Sequence, residues 1–257
     1  MEAKIVTTLE EYVRYVERIS PQYSLSRGQE YERELLPSVL RKDTNGMRLF
    51  SKKKSKQFID DFKINSPMYI DNSIIRNESE WIVYAQHFGV PTCLLDFSYS
   101  HLVSLMFAIE NAFSYDAGDA QNSVVWFLNP DELNLLSLNR TDIINISEER
   151  IIENNFEYPF VVMARKNNER IAAQNGVFVY FLQDSDALEK VPNAERFLKK
   201  VLIPHDSAKN VLKTLYTMGM RFNDIYPELS SISKDIVLKN QKICFMKIKF
   251  TQSFYLI

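Results

Sequence analysis

The sequence predicts a mixed α/β domain with a central β-sheet and flanking helices. Amphipathic helical segments alternate with short apolar runs of strand length along the chain. No internal repeat or low-complexity linker interrupts this pattern over 257 residues, and the composition, with 46% hydrophobic and 25% charged residues, is that of a globular protein. A chain of this length can bury a substantial core. We therefore predict a single domain over residues 1–257.

Apolar residues at helical spacing predict five helices and two weaker ones. Thr8 and Glu11 have the spacing of a capping box at the start of the first helix, and Gly89 follows the end of the third. Ser100 is a candidate N-cap for the helix after that. The helices are predicted over residues 8–19, 48–64, 78–88, 101–113 and 206–218, with weaker patterns at 31–41 and 131–155.

Short apolar runs between these helices predict the strands of the sheet. The run from Thr92 to Phe97 follows Pro91 and holds Asp96 near its end. Residues 231–257 are predicted to form a C-terminal helix and then a strand, since the segment 242–256 is rich in β-forming residues and would close the sheet. The other strands are predicted over 23–26, 124–128, 160–164, 176–182 and 197–203.

Charge and cysteine content argue against several classes of function. The formal net charge is −2, so no global field attracts the protein to nucleic acid or to an anionic membrane. Cys93 and Cys244 are the only cysteines, too few for a disulfide framework, and the sequence shows neither a signal peptide nor a long apolar run. We therefore expect a cytoplasmic protein without a membrane role.

The first candidate site is Arg27-Gly28, directly after the strand predicted at 23–26. Glycine lets a backbone approach a ligand closely, and a guanidinium group binds phosphate or carboxylate through two parallel hydrogen bonds. The alternative is an arginine paired with an acidic neighbour and a glycine that only forms a turn. Because a single Arg-Gly pair is common, the motif alone favours this structural alternative.

The second candidate runs from Gln86 to Ser98 and contains His87 and Asp96. Asp96 has apolar neighbours and is predicted to lie at the end of a buried strand, where a carboxylate requires a partner. Arg27 is one possible partner, and the N–H groups at the start of the following helix are another. Asp96 is as consistent with a structural ion pair or cap as with a functional carboxylate. His87, near a helix end, is more often a structural histidine.

The third candidate runs from Arg165 to Phe178, where polar residues precede an apolar strand. Gln174 and Gly176 lie at the junction. Junctions of this kind line clefts, but they also form ordinary turns, and the sequence favours neither interpretation.

Other chemistries have less support. Cys93 with His87 or His101 would need a third group to orient the base, and the local sequence supplies none. The two histidines and Asp96 lack the spacing of a zinc site, so we expect no metal. The basic run at 52–56 is typical of a solvated helix face, with a phosphate-contacting patch as the alternative. Neither a Walker-type loop nor a GxGxxG pattern occurs.

Together these segments resemble the FRG domain family, which is named for an aromatic-Arg-Gly motif. The similarity follows the family order over roughly residues 20–230. The segments that carry it are 25–29, 36–41, 86–92 continuing through Phe107-Ala108, Arg170-Ile171 with Gln174, Gly176 and Phe178, Ile203-Pro204, Gly219 and 225–229. Each motif is weak alone, but their occurrence together and in order is specific.

The sequence departs from the FRG pattern at five positions. Ser26 replaces the aromatic residue before Arg-Gly, and Cys93 stands where the family generally has arginine. Phe97 stands in place of tryptophan, Ser98 in place of threonine and His101 in place of proline. The missing arginine removes a cation from the candidate site, and it indicates that Cys93 is an incidental replacement rather than a nucleophile.

The layout is also similar to that of ADP-ribosyltransferases with an Arg…Ser/Thr…Glu order. This similarity implies a central split, mostly antiparallel sheet, with NAD as a substrate and a role as a toxin or a defence effector. Arg27 would bind the NAD phosphates, and Asp96 or Ser98 would orient the nicotinamide ribose. The residues implied are Arg27, Asp96 and Gln174 as catalytic residues, and Arg27, Gly28, Gln86, His87, Asp96 and Ser98 as NAD-binding residues.

Gln174 is the main objection to catalysis, because an amide cannot act as a general base near neutral pH. Either another carboxylate, such as Glu169 or Asp184, takes that role, or the domain binds without turnover. The alternative function is therefore a non-catalytic module for a nucleotide, a nucleic acid or a protein partner. A scaffold whose motifs serve only folding is the third possibility.

Overall fold

The computed structural model describes residues 3–70, 75–115, 121–148, 156–165 and 176–252, and over 241–252 it describes the backbone alone. The described strands are β1 (Ala3–Ile5), β2 (Leu25–Gln29), β3 (Leu94–Ser98), β4 (Asn122–Leu128), β5 (Ile144–Asn145), β6 (Phe160–Met163), β7 (Gly176–Tyr180) and β8 (Leu198–Pro204). They form one sheet in the order β1-β8-β4-β2-β3-β7-β6-β5. Neighbouring strands are antiparallel except for β1–β8 and β5–β6 at the two edges. The prediction of a mixed α/β domain with a mostly antiparallel sheet is confirmed.

The sheet narrows to a single pair of residues at its centre. On one side, β2 pairs with β4 along its whole length, and on the other side β3 pairs with β7 along its whole length. Between β2 and β3, the described register contains only the pair Ser26 and Ser98. The two halves of the sheet are therefore continuous at this point and separate beyond it, so the facing edges of β2 and β3 border a gap.

Nine α-helices occur among the described residues. They are α1 (Leu9–Arg18), α2 (Lys52–Asn65), α3 (Glu78–His87), α4 (His101–Ile109), α5 (Pro130–Leu138), α6 (Ala194–Phe197), α7 (His205–Thr217), α8 (Phe222–Ile225) and α9 (Leu229–Gln252). Within the described part of the chain, no helix combines the length and the apolar character needed to cross a lipid bilayer.

Side-chain caps determine where the first helices begin. The Thr8 hydroxyl accepts a hydrogen bond from the Glu11 amide at 3.1 Å, whereas the Glu11 carboxylate accepts from the Thr7 amide at 2.7 Å. Ser100 caps α4 as predicted, since its hydroxyl accepts from the Val103 amide. These caps fix the first turns of α1 and α4, two of the helices that pack on the sheet.

Three apolar clusters cover the sheet. On one face of the β1-β8-β4-β2 half, α1, α4 and α7 pack against the β4 residues Val125 and Phe127. On the opposite face, Leu35 and Leu40 of the segment after β2 pack against Trp126. A third cluster covers the β3-β7-β6-β5 half and includes Phe178. The segment 30–41 is thereby anchored beside the central gap.

Several predicted elements differ from the observed ones. The helix predicted at 131–155 ends at Leu138, because Asn139 adopts a left-handed conformation with φ 53°. The predicted helix or turn at 31–41 contains a short 3₁₀ turn at Ser38–Leu40. Strand β1 was not predicted. The strand predicted at 242–256 is wrong over 242–252, because α9 continues to Gln252, and no glycine or proline interrupts the sequence from Leu229 to that point. Its last residues, 253–256, lie outside the described residues.

Candidate functional site

A cleft opens where β2 and β3 separate beyond their single pair. It has a volume of about 370 Å³ and is lined by residues of β2, β3, α3, α4 and the segment that follows β2. Among the residues proposed from the sequence, those that line it are Arg27, Gly28, Gln86, His87, Asp96 and Ser98. Gln174 and Glu169 lie outside the described residues. The first two candidate segments therefore meet in one place, at the split in the sheet.

Arg27 lies within β2, whereas the sequence had suggested a position directly after the strand. Its side chain is 19% exposed and crosses the gap, where Nη1 donates a hydrogen bond to the Asp96 backbone oxygen at 2.7 Å. The Asp96 carboxylate is farther away, with Oδ2 at 3.7 Å from Nη1. Nε of Arg27 is buried and has no hydrogen-bond partner among the described residues. The guanidinium group is thus only partly satisfied within this part of the chain.

Burial makes the positive charge of Arg27 costly. It lowers the pKa of Arg27, and the nearby Asp96 opposes this effect while the positive charge of Arg41 adds to it. Arginine remains protonated at any physiological pH, so the lowered pKa expresses a free-energy cost of holding the cation in place. An anion that entered the cleft would offset that cost.

Asp96 is a cleft carboxylate and not a buried one, which corrects the expectation from its apolar neighbours. Its side chain is 56% exposed. Gln86 donates from Nε2 to Asp96 Oδ2 at 3.0 Å and to the Leu94 backbone oxygen at 3.1 Å, while the Gln86 carbonyl accepts from Thr92. Gln86 therefore covers the free edge of β3 and orients the Asp96 carboxylate.

Gly28 is required by packing on the face of β2 opposite to Arg27. A Cβ atom built at Gly28 would lie 1.9 Å from the Ser104 backbone oxygen and 2.6 Å from the Ala108 backbone nitrogen. Helix α4 therefore crosses β2 at a distance that only glycine permits. The close approach of a ligand to Gly28 stays a prediction, and the close contact that the structure shows at Gly28 is with the α4 backbone.

A buried hydrogen-bonded group lies below the cleft at the junction of the two halves. Ser26 donates to the Ser104 hydroxyl at 2.9 Å, so its oxygen accepts from Nδ1–H of His101, which lies at 2.8 Å. The His101 ring also packs edge-on against Phe127 at 5.1 Å. Burial lowers the pKa of His101, so the neutral imidazole is favoured. Ser26 and His101, two of the departures from the FRG pattern, therefore form one interacting pair.

The remaining NAD-binding candidates have local contacts as well. Ser98 is 3% exposed, and its hydroxyl accepts a hydrogen bond from the Ser100 amide at 2.9 Å. His87 lines the cleft, and its ring lies edge-on to Phe88 at 5.1 Å. Both therefore line the cleft while they contact neighbours in their own segments.

Four charged residues that the sequence analysis did not select also line the cleft. Arg33 and Arg41 come from the segment after β2, and burial together with the positive charge of Arg33 lowers the pKa of Arg41. Glu30 and Glu110 line the cleft too, and Asn111, beside the end of α4, donates to the Glu30 carboxylate at 3.3 Å. One signal in the sequence could have pointed to these residues: Arg41 lies in one of the segments that carry the FRG resemblance.

Other candidates lie apart from this cleft. The described residues that line it do not include Cys93, which is half-buried, or Asp184, which is exposed. The lysines at 52–56 are exposed on α2, a helix without buried residues, as predicted for a solvated face. No group of three or more His, Cys, Asp and Glu side chains that could hold a metal ion occurs in the described part of the chain.

A second arginine–carboxylate pair contrasts with the one in the cleft. Glu80 is 3% exposed and accepts from Arg165 Nε at 2.7 Å, from Arg165 Nη2 at 2.9 Å and from the Arg76 amide at 2.6 Å. Burial would raise the pKa of Glu80, but these hydrogen bonds and one from Ser147 hold it below its ordinary value. This bidentate pair ties α3 to the segment after β6.

Comparison with known families identifies one match. Residues 23–117 match the family model of the FRG domain. No curated protein and no solved structure matches the sequence. The matched region contains β2, β3 and α2 to α4, and with them every described residue that lines the cleft except Phe178. The cleft is therefore a feature of the matched domain.

Proposed function

We propose that this FRG-domain protein binds NAD in the cleft between β2 and β3 and acts as an ADP-ribosyltransferase-like enzyme. The observation that carries the proposal is the state of Arg27, whose guanidinium is largely buried in the cleft with Nε unpartnered among the described residues. Buried polar groups in native proteins are nearly always satisfied, so such an atom indicates a ligand or solvent partner. Arginine is the residue best suited to phosphate.

The cleft has the size and polarity expected of a nucleotide site. Its volume of about 370 Å³ lies within the range of roughly 300–1,000 Å³ that is usual for small-molecule sites. Arg27 provides a cation, Asp96 and Gln86 provide oriented polar groups, and Phe107 and Phe178 provide apolar surface. The NAD phosphates would bind Arg27, and the nicotinamide ribose would lie toward Asp96.

Cleavage of the bond between nicotinamide and ribose builds positive charge on the ribose. A carboxylate held close to the sugar stabilises this charge, because it is already oriented when the charge develops. Gln86 orients the Asp96 carboxylate in this way. The released ADP-ribosyl group would then pass to water or to an acceptor nucleophile. NAD consumption is also the activity through which such a protein would act as a toxin or a defence effector.

Gln174 carries an amide and cannot serve as the general base of this reaction, so we assign that role to a carboxylate of the cleft. The carboxylates among the described cleft-lining residues are Glu30, Asp96 and Glu110. Asp184, which the sequence had suggested, does not line the cleft. We therefore propose one of these three residues for that role.

The second candidate function is binding without turnover. The carboxylate nearest to Arg27 accepts a hydrogen bond from Gln86 and faces the guanidinium, so it is partly occupied as a base. The partner would be a nucleotide, a nucleic acid or a protein. Steeply salt-dependent binding of RNA or DNA, weakened by charge reversal of Lys53 and Lys54, would support this function.

The test is incubation of purified protein with NAD, with nicotinamide release and thermal stabilisation as readouts. At NAD concentrations about 100-fold above Kd, linkage predicts stabilisation by about 2.7 kcal/mol, or roughly 5–10 °C in Tm. Arg27→Met is expected to abolish both effects. Arg14→Gln, at an exposed position on α1, is the matched control and should behave like wild type.

The results of this test distinguish the enzyme from the binding module. Nicotinamide release that depends on Arg27 establishes the enzyme. NAD-induced stabilisation without release, again dependent on Arg27, supports the binding module. A folded wild-type protein that shows neither effect, or an Arg27→Met variant that retains both, contradicts the NAD proposal.

A further inference from the structure

Three arginines line the same cleft, and two of them have no assigned role. Arg33 and Arg41 line the cleft from the segment that follows β2, the strand that carries Arg27. Neither forms an ion pair with an acidic side chain among the described residues. These two cations therefore have unused capacity for an anion within the described structure.

The segment that carries Arg33 and Arg41 is well anchored. Leu35 and Leu40 are fully buried in the core, and the Leu35 amide donates to the Glu189 carboxylate at 3.0 Å. The Arg41 backbone oxygen accepts from the Leu49 amide at 2.9 Å. Arg33 is further restrained by its position 5.2 Å from the centroid of the Tyr31 ring. The two arginines are thus presented by a fixed backbone, as a binding site requires.

Grouping these cations is unfavourable without a ligand. Arg33 and Arg41 are both exposed residues. Partial burial and, after it, the positive charge of Arg33 lower the pKa of Arg41, and the charge of Arg41 adds to the effect of burial in lowering the pKa of Arg27. Like charges that line one cleft repel each other, and of the acidic residues that also line it, Glu30, Asp96 and Glu110, only Asp96 forms an ion pair with one of the three arginines among the described residues. An anion that contacts more than one of the arginines would relieve it.

We propose that Arg33 and Arg41 form a second phosphate subsite next to Arg27, and that the cleft selects ligands with two linked phosphates. Among the described residues only Arg27 of the three arginines forms an ion pair, so Arg33 and Arg41 remain available to a second anionic group, although Glu30 and Glu110 also line the cleft. A diphosphate diester carries two negative charges, and a monophosphate diester carries one. The ligand class is therefore a nucleoside diphosphate or a dinucleotide. The inference rests on the proposed function, which locates the site in this cleft, and it adds the residues that bind the second phosphate.

The test compares inorganic phosphate, pyrophosphate, AMP, ADP and NAD by calorimetric titration at constant ionic strength. Wild-type protein should bind pyrophosphate at least about 10-fold more tightly than phosphate, and ADP at least about 10-fold more tightly than AMP, since a charged hydrogen bond contributes about 1.5–3 kcal/mol. Arg33→Gln and Arg41→Gln should each remove most of this preference while changing phosphate affinity by less than about 3-fold. Arg14→Gln is the surface-charge control, and the Tm of each variant checks folding.

The outcomes separate this inference from the NAD proposal. A diphosphate preference that survives both glutamine variants overturns the second subsite, even if NAD turnover depends on Arg27. Equal loss of phosphate and pyrophosphate affinity in those variants also overturns it, because it shows only a general loss of positive charge. A preference that depends on Arg33 and Arg41 in a protein that does not bind NAD supports the subsite and rejects NAD. Absence of binding to every probe rejects both.

Discussion

The two faces of β2 differ in how completely their residues are packed and hydrogen-bonded. On the face that contacts α4, Gly28 allows backbone contact and Ser26 has hydrogen-bond partners for its hydroxyl. On the opposite face, which carries Arg27, a largely buried guanidinium retains an unpartnered Nε among the described residues. The two environments are one residue apart on the same strand, because successive side chains of a strand point in opposite directions.

This difference separates residues that hold the fold from residues that are available to a ligand. A fully satisfied position contributes to stability, whereas a costly and incompletely satisfied group is retained where function requires it. Substitutions of Gly28 and Ser26 are therefore expected mainly to lower the stability of the fold. Substitution of Arg27 is expected mainly to weaken ligand binding. Each of the following variants tests one side of this comparison.

The largest effect is expected for Gly28→Ala. The added Cβ would overlap the Ser104 backbone oxygen and the Ala108 backbone nitrogen, and backbone atoms within a packed helix cannot move aside cheaply. We expect a loss of about 4 kcal/mol or more in the free energy of unfolding, or failure to obtain folded protein. Urea unfolding monitored by circular dichroism measures it.

Gly89→Ala provides the matched control for that variant. Gly89 has φ +83°, but no atom lies within 4 Å of the position that an alanine Cβ would occupy there, so alanine meets only torsional strain. We expect a loss of about 1–2 kcal/mol from that strain. If Gly28→Ala is no more destabilised than Gly89→Ala, the contact between α4 and β2 is looser than the structure indicates.

A smaller effect is expected from the titration of His101. Burial lowers the pKa of His101 in the folded protein, so the unfolded chain binds a proton first as the pH falls. The stabilisation is complete above pH 6.5, the ordinary pKa of histidine, and is lost as the pH falls from there through the lower folded-state pKa. Wild type should therefore lose stability as the pH falls below about 6.5.

His101→Gln isolates this contribution, because glutamine can donate to Ser26 and does not titrate. The difference between the two unfolding free energies, measured by chemical denaturation across that pH range, should change with pH. A pH-independent difference would show that His101 titrates normally in the folded protein. In that case the polar group below the cleft is more open to solvent than its geometry implies.

The sequence predicted the parts of the site that are close together along the chain. Arg27 and Gly28 were selected for a cation and a close backbone approach to a ligand, and Asp96 was selected as a carboxylate at the end of a strand. Gln86 was selected only through the resemblance, as an NAD-binding residue. The pairing of Arg27 with Asp96 across the gap was anticipated only as one of two options for Asp96. The expectation of a buried Asp96 failed because the sheet separates beside it, and strand periodicity carries no information about such a gap.

The parts of the site that the sequence missed depend on tertiary contacts. Arg33 and Arg41 lie in a segment with little regular structure, so no periodicity pointed to the cleft, and their grouping with Arg27 results from packing of the segment on the core. The Ser26–His101 contact joins positions 75 residues apart. The C-terminal error has another origin: apolar residues with β propensity do not prevent a helix when no glycine or proline interrupts it.

The smallest effect on stability is expected for Arg27→Met, the variant that removes the least satisfied side chain. Methionine fills much of the same volume and eliminates a buried charge, which offsets the lost hydrogen bond to the Asp96 backbone oxygen. We expect a change in Tm within about 3 °C of wild type, which corresponds to about 1 kcal/mol. Differential scanning calorimetry measures it, alongside the loss of ligand binding.

Arg165→Met is the matched comparison, because it removes an arginine whose guanidinium is bound by a buried carboxylate. Glu80 would then remain buried without its bidentate partner, so Tm should fall by clearly more than in Arg27→Met. Equal losses in the two variants would mean that Arg27 serves the fold as Arg165 does. A stable Arg27→Met protein that no longer binds phosphate ligands would instead show that the cleft face of β2 maintains its cation at a cost that only a ligand offsets.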